Sequence, residues 1–518
     1  MAITITITII TVFSTAFADN AAFEKKPMNE VLQDLQNYAQ QVQHDWKVPG
    51  MSFAVVKNGA LVYAQGFGVR DEEGRPVNAD TIFDIASMTK SFTATLLAKQ
   101  IDERKYNWGT KVQKLYPEFK LYDAKATSEF EVRDLIAHDS GLPESALDGL
   151  GDFGYNVGRT LYALRFIRPI ASFRSQFAYQ SIFSELAKQI IEKNSGESFS
   201  KFLHQQLFSL LGMRGSYLRN EAVLKSKSNV AQPYLYQAGR NYPYSQNSPY
   251  LSQRWALETG LAGGGIYSSV NDMAKWLIFN MNDGNFNGQQ IIHKSNIQFI
   301  HTPQTIISQT KTDEIEQAYG EGWFIDKQSY KPYTVLYHAG GGTGMHGQMA
   351  YIPELRLGIV VLTNQYTNNV PEILTKHLFD LYINPSKKQD WNKIYLAQRN
   401  QSQLKSSEIS PPCQMINDID LKKYIGAYFN PVYGQLNISQ KNNHLILHIG
   451  PQNIVWNLNY CRDNTFTAFW LNPNGMNIPM IPVTQNKVIF SVDENHAITH
   501  MSIPYLNSDG FGLFEKQK

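Results

Sequence analysis

Residues 82–93 read Ile82-Phe83-Asp84-Ile85-Ala86-Ser87-Met88-Thr89-Lys90-Ser91-Phe92-Thr93, and the reading of the whole chain turns on them. An apolar run, Ile82 to Ala86, leads into a segment whose apolar residues Met88, Phe92, Leu96, Leu97 and Ile101 recur at helical spacing. The pattern predicts a helix from Ser87 to about Lys105, with Ser87 opening it. A helix sets residues i and i+3 on one face with Cβ atoms about 5–6 Å apart, so Lys90 overlies Ser87. The helix N-terminus adds unpaired N–H groups and the positive end of the dipole beside the hydroxyl. A serine hydroxyl needs such help to act as a nucleophile near neutral pH. A lysine serves as its base only where burial or a neighbouring cation disfavours the charged form. Ser-x-x-Lys also occurs at Ser198–Lys201, Ser308–Lys311 and Ser402–Lys405, which read as solvated surface pairs. Taken alone, Ser87 and Lys90 are read more readily as an N-cap serine beside an exposed lysine.

Outward from this stretch, short β-type runs alternate with helical ones from Val48 to about Pro385. Phe53 to Val56 and Leu61 to Tyr63 flank Lys57-Asn58-Gly59-Ala60, a hairpin signal. Phe183 to Lys193 is helical, closed by Asn194-Ser195-Gly196. Gly347 to Tyr351 and Gly358 to Thr363 read as strands joined by a turn containing Pro353. Strands at both ends with helices between predict an α+β fold, because the βα alternation of a parallel sheet is absent.

The chain carries no HExxH, no CxxC, no Gly-rich phosphate loop with its lysine and no GxSxG elbow, which disfavours zincins, P-loop enzymes and ordinary α/β-hydrolases. Two further motifs do stand out. Phe177-Ala178-Tyr179-Gln180-Ser181 precedes a helix, and Tyr337-His338-Ala339-Gly340-Gly341 sits where a strand enters a glycine run. With Ser87-Met88-Thr89-Lys90 they resemble the three motifs of the serine β-lactamase and penicillin-binding-protein superfamily. The closer resemblance is to its class C β-lactamase-like branch, which includes D-alanyl-D-alanine carboxypeptidases, D-aminopeptidases and esterases. Val48-Pro49-Gly50-Met51, Gly66-Phe67-Gly68, Arg133-Asp134-Leu135-Ile136, His138 to Pro143, Leu211-Gly212-Met213, Ala262 to Gly265 and Gly320 to Trp323 also resemble family text, in family order.

The resemblance implies an antiparallel sheet flanked by helices plus a helical lobe, and an acyl-enzyme formed on Ser87. Lys90 would assist deprotonation and keep the site electropositive. Tyr179 would shuttle a proton between nucleophile and leaving group. His338, Gly340 and Gly341 would form the substrate strand, with the N–H groups of Ser87 and Gly341 as the oxyanion hole; each such donor contributes roughly 3–4 kcal/mol to a transition state. No metal and no cofactor are implied. The substrate would be a small molecule or peptide: a β-lactam, a D-amino-acid peptide or a small ester. A penicillin-binding or sensor protein, occupied without efficient turnover, is the alternative.

Two departures bear on substrate choice. Ser181 stands where the family commonly has asparagine, and a hydroxyl cannot offer an amide's simultaneous donor and acceptor. His338 replaces a lysine and weakens the fixed charge that would grip a carboxylate at neutral pH. Both favour esters, small amides or D-amino-acid peptides over efficient penicillin hydrolysis. Of the remaining candidates, His346 reads as a loop residue, Trp323 as core, and the His-x-Gly at His448 to Gly450 as structural.

At 518 residues, 43% hydrophobic and 18% charged, the chain is globular, with room for two to four domains. A net charge of +2 gives no nucleic-acid footprint. Met1 to Ala18 has no charged side chain and ends Ala16-Phe17-Ala18, the pattern of a signal peptide, which implies an exported protein, periplasmic or secreted, with no membrane span after cleavage. Export would permit a Cys413–Cys461 disulfide without predicting one. The polar stretch 386–416 reads as a linker with a short helix around Trp391 to Gln401. Beyond it Leu436 and Ile438, Leu445, Leu447 and Ile449, Ile454, Trp456 and Leu458, and Val488, Phe490 and Val492 alternate with polar residues, predicting a small β-barrel or sandwich. Tyr424-Ile425-Gly426-Ala427-Tyr428 with Tyr433-Gly434 resembles the lipocalin-like domain appended to some relatives. The division is thus 1–18 signal, 19–385 hydrolase domain, 386–416 linker and 417–518 barrel, with no oligomeric state specified.

Overall fold

Asn58 and Gly59, both with positive φ (53° and 77°), turn the chain between β1 (Gly50–Lys57) and β2 (Ala60–Gly68). Such a two-residue turn matches the twist of the strands it joins. The computed structural model describes residues 26–220, 228–237, 239–244, 260–312, 314–342, 344–408, 419–471, 477–479, 487–506 and 510–518. The segment read as a signal, 1–18, and Cys413 lie outside them.

The first hairpin joins strands from the far end of the domain. These are β3 (Thr305–Gln309), β4 (Ile315–Tyr319), β5 (Phe324–Asp326), β6 (Val335–Gly342), β7 (Met345–Ile352) and β8 (Leu357–Thr363). The sheet runs β3-β4-β5-β6-β7-β8-β1-β2, antiparallel throughout, with Met51 opposite Thr363 where the two ends of the domain meet. The turn between β7 and β8 is the Pro353–Leu355 helical turn, as its proline suggests.

Side chains alternate across a strand, so each strand feeds two cores. Phe53, Val55, Ile359 and Val361 pack with α1 (Met28–Trp46) and α5 (Val370–Ile383). Ala54, Val56, Val360 and Leu362 lie in the other core, with α2 (Thr89–Asp102) and α4 (Val270–Met281). Covering both faces explains why β8 is an unbroken apolar run. The helical lobe docks on α2 through α3 (Ile182–Ser195), where Gln100 Nε2 donates to the Ile191 carbonyl at 2.9 Å. Gly196, φ 72°, ends α3 as its sequence predicts.

The stretch read as a linker holds a longer helix than its composition suggests, α6 (Trp391–Glu408, 18 residues). One distant and one nearby contact fasten its start: Trp46 Nε1 donates to Asn392 Oδ1 at 2.9 Å and Trp391 Nε1 to Asp380 Oδ2 at 2.7 Å. Beyond it, eight strands between Gly426 and Lys516 close into a barrel, sealed where Ile454–Arg462 pairs with Thr465–Leu471. The residues marked by alternation are buried, except Ile454, which is half-buried, and Val492, which is exposed at a strand end. Tyr424, Tyr428, Phe466 and Phe490 fill part of the interior with ring centroids 4.8 to 5.7 Å apart. Eight strands enclose just enough space for side chains to fill. Cys461, in this barrel, is disulfide-bonded. Among the described residues no helix is long and apolar enough to cross a membrane.

Candidate active site

Ser87 lies in a single tight turn, Ala86–Met88, that runs directly into α2, so the regular helix begins at Thr89 rather than at the serine. Ala86 has φ 44°, in the left-handed region that costs a side-chain-bearing residue energy. The turn is held by the Asp84 carboxylate, which accepts the Ala86 N–H at 2.8 Å. One turn on, Lys90 is fully buried. Its Nζ is 3.3 Å from Ser87 Oγ, donates to the Gly263 carbonyl at 2.8 Å, and stands 4.7 Å from the centre of the Tyr179 ring. The reading of Lys90 as an exposed surface residue is thereby excluded.

Tyr179 occupies the non-helical segment before α3. Its hydroxyl is buried without a hydrogen-bond partner among the described residues. The His138 and Tyr179 ring centroids are 4.1 Å apart, and His138 Nδ1 accepts the Gln180 N–H at 3.2 Å. Burial, reinforced by the nearby Lys90, pushes this imidazole well below its ordinary range, so it is neutral. The Gln180 side chain donates to the Leu142 and Pro143 carbonyls and accepts from Ser140 Oγ. The His138 to Pro143 text is thus stapled to the second motif. Ser181 does not cap α3 with its hydroxyl. A Cβ added at Gly263 would sit 3.4 Å from Ser181 Cβ and 3.5 Å from Lys90 Nζ, so all three converge.

The third motif closes the site from β6. A Cβ at Gly340 would stand 2.1 Å from the Ile85 carbonyl oxygen and 3.1 Å from the Ser87 nitrogen. Only glycine lets this strand lie against the nucleophile turn. Gly341, next along, is exposed. His338 is 1% exposed, with Nδ1 2.6 Å from the Ala339 carbonyl and Nε2 2.9 Å from the Tyr319 hydroxyl. A carbonyl only accepts, so Nδ1 carries the proton and Nε2 accepts from Tyr319. Burial, reinforced by Lys90, pushes its pKa down to about 3. His338 is therefore uncharged at neutral pH, and the third motif contributes no cation.

Three residues fall elsewhere than sequence suggests or acquire partners it did not show. His346 is not in a loop: it lies on β7 opposite Gly341, with Nε2 2.8 Å from Glu372 Oε1. Burial works against its protonation, but the Glu372 carboxylate outweighs it and holds the imidazole above its ordinary value. Gly263 and Tyr319 are the partners of Lys90 and His338 that no motif names. Each sits in or beside a stretch of family-like text, Ala262 to Gly265 and Gly320 to Trp323, and that was the available signal. Trp323 is core, fully buried, as expected. Among the described residues no group of histidine, cysteine and carboxylate side chains is placed to hold a metal.

The arrangement gathers a hydroxyl, an amine, a phenol and a glycine strand around one point, the parts that acyl transfer requires. The chain is 27% identical over 433 residues to the unguisins hydrolase ungD′ of Aspergillus campestris, covering 78% of this chain and 77% of that one. It is 23% identical over 349 residues to protein flp of Staphylococcus aureus, covering 66% and 65%. The octameric penicillin-binding protein homologue from Pyrococcus abyssi shares the fold, at a TM-score of 0.58 and 23% identity over 94% of this chain and 98% of that one. Residues 413–512 match a domain of unknown function, DUF3471. Residues 35–380 match the Beta-lactamase family model, and the chain belongs to that family.

Proposed function

We propose that the protein is an exported serine hydrolase that works through an acyl-enzyme on Ser87. Export rests on the apolar Met1–Ala18 stretch alone. The observation that carries the chemistry is the placement of Lys90 Nζ, buried and 3.3 Å from Ser87 Oγ. Lys90 assists deprotonation of Ser87 as the hydroxyl attacks the acyl carbon. Tyr179, whose hydroxyl has no other partner among the described residues, passes the proton from Ser87 to the leaving group and activates water for deacylation. The N–H groups of Ser87 and Gly341 receive the developing oxyanion, a role that suits a glycine strand pressed against the nucleophile turn.

The neutral state of His338 bears on the substrate. A third motif without a cation grips a substrate carboxylate poorly, which favours small esters, amides and D-amino-acid peptides over β-lactams. The hydrolase named among the relatives supports turnover rather than mere occupancy.

A serine-directed phosphonate tests the reading. It should label wild type at Ser87 and leave Ser87→Ala unlabelled; absence of label together with absence of ester, β-lactam or D-peptide turnover would remove it. Intact mass after exposure to a β-lactam separates the alternatives: a persistent adduct indicates a penicillin-binding or sensing role, a short-lived one slow lactamase activity, and none ester or peptide chemistry.

A further inference from the structure

Between the second motif and the barrel runs one segment, Ser145 to Arg159, that touches both. Its first part holds the site. Ser145 N donates to the Tyr179 carbonyl at 2.7 Å, and Asp148 Oδ1 accepts the Ser181 N–H at 3.2 Å. Ser145 and Leu147 both lie in the left-handed region, at φ 58° and 64°. Two side-chain-bearing residues so close together in that region persist only when the surroundings hold them there.

The second part is held by the barrel. Phe153 is fully buried, its ring 5.6 Å from Trp456 and 6.3 Å from Tyr433. Gly450, φ 68°, lets the barrel backbone close onto it; a Cβ there would meet the Phe153 carbonyl oxygen at 2.1 Å. Gly154 is packed as closely against Gln452. The Tyr155 hydroxyl donates to the Tyr433 carbonyl, and Arg159 Nη2 donates to the Pro431 and Val432 carbonyls at 2.8 Å each. Among the described residues of this segment, every side chain named here engages the turn between the first two barrel strands or the loop from Gly450 to Gln452.

We propose that the C-terminal barrel is a positioning device for the active site, gripping Phe153 and Arg159 so that Ser145 and Asp148 hold Tyr179 and Ser181 against Ser87 and Lys90. The inference rests on the acyl-enzyme reading for its catalytic consequence but not for its structural part. Phe153 and Arg159 are positioning residues that touch no substrate. A barrel whose turn at Pro431–Tyr433 and loop at Gly450–Gln452 close on the active-site segment fits a buttress.

The test uses the full-length protein, wild type and the variants Phe153→Ala, Phe153→Leu and Arg159→Ala. Two readouts are taken: phosphonate labelling of Ser87, resolved into maximal rate and half-saturating concentration, and hydrogen exchange at the Ser145 and Ser181 amides. The clamp predicts that Phe153→Ala slows the maximal labelling rate by roughly tenfold or more, within the hundredfold that a misplacement of about 1 Å costs. It predicts little change in half-saturation, lost exchange protection at both amides and substantial rescue by Phe153→Leu. Arg159→Ala, a change at a partly exposed side chain that leaves both cores intact, should show the same signs more weakly, which keeps the test valid if Phe153→Ala does not fold. Wild-type labelling rates and protection in Arg159→Ala and in any folded Phe153→Ala would overturn the proposal. If wild type itself is unlabelled, the acyl-enzyme reading falls and exchange alone decides: protection lost in the variants upholds the clamp, and unchanged protection overturns it.

Discussion

Lys90 Nζ is shared between Ser87 Oγ at 3.3 Å and the Gly263 carbonyl oxygen at 2.8 Å, so the amine beside the nucleophile is aimed by a backbone acceptor 173 residues further along the chain. The helix supplies proximity, and the acceptor supplies direction.

Lys90→Met keeps length and burial while removing the amine. Phosphonate labelling of Ser87 should fall by about 10²–10⁴, the usual span for loss of a positioned acid or base. Stability should fall by about 1–3 kcal/mol in urea melts, because the Gly263 carbonyl loses its donor. An unchanged labelling rate would take Lys90 out of the chemistry.

Gly340→Ala places a methyl where no room exists, 2.1 Å from the Ile85 carbonyl oxygen. The strand must retreat from the Ser87 turn and carry the Gly341 N–H with it. Turnover of a small ester should drop by about 10²–10³, the effect of losing one oxyanion donor. The equivalent change at exposed Gly109, which has no positive φ and where a Cβ makes only ordinary contact 3.5 Å from Asn107 Oδ1, should leave turnover unaltered and serves as the control.

Nitrogen-15 NMR of the histidine rings reads the His338 state directly. Its pKa of about 3 predicts a neutral ring protonated on Nδ1 throughout pH 5–8. A His338 signal titrating near 6.5 would restore a cation to the third motif and reopen carboxylate recognition.

The same burial makes a prediction about stability. His338 binds its proton near 6.5 when unfolded but only near 3 when folded. Protons therefore favour the unfolded chain, and stability falls as pH drops from about 6.5 toward 3. Measured against His338→Gln, which can still accept from Tyr319, wild type should lose up to about 1.4 kcal/mol per pH unit between pH 6 and 4. Parallel stability curves for the two proteins would show that the ring titrates normally.

Much of this protein was legible before any coordinates. The Asn58-Gly59 hairpin, the end of α3 at Gly196 and the alternating barrel strands are local patterns with local causes, and they stand where the residues put them. The pairing of Ser87 with Lys90 is of the same kind, since residues three apart across a helical turn meet whatever surrounds them. The polar composition of α6 says linker, while Trp46, 346 residues before Asn392, fastens its first turn together with nearby Asp380.

The sequence by itself determined the first hairpin, the end of α3, the alternating barrel strands, the three motifs and the family they resemble, because propensity, periodicity and spacing act over a few residues. Only the tertiary structure decided that Lys90 is buried and aimed at Gly263, that His338 is neutral, that His346 pairs with Glu372, and that the barrel grips Phe153. Each of those depends on desolvation or on contact between segments dozens to hundreds of residues apart. The free energy of a charge or a packed ring is set by every neighbour at once, and no local stretch of sequence contains them.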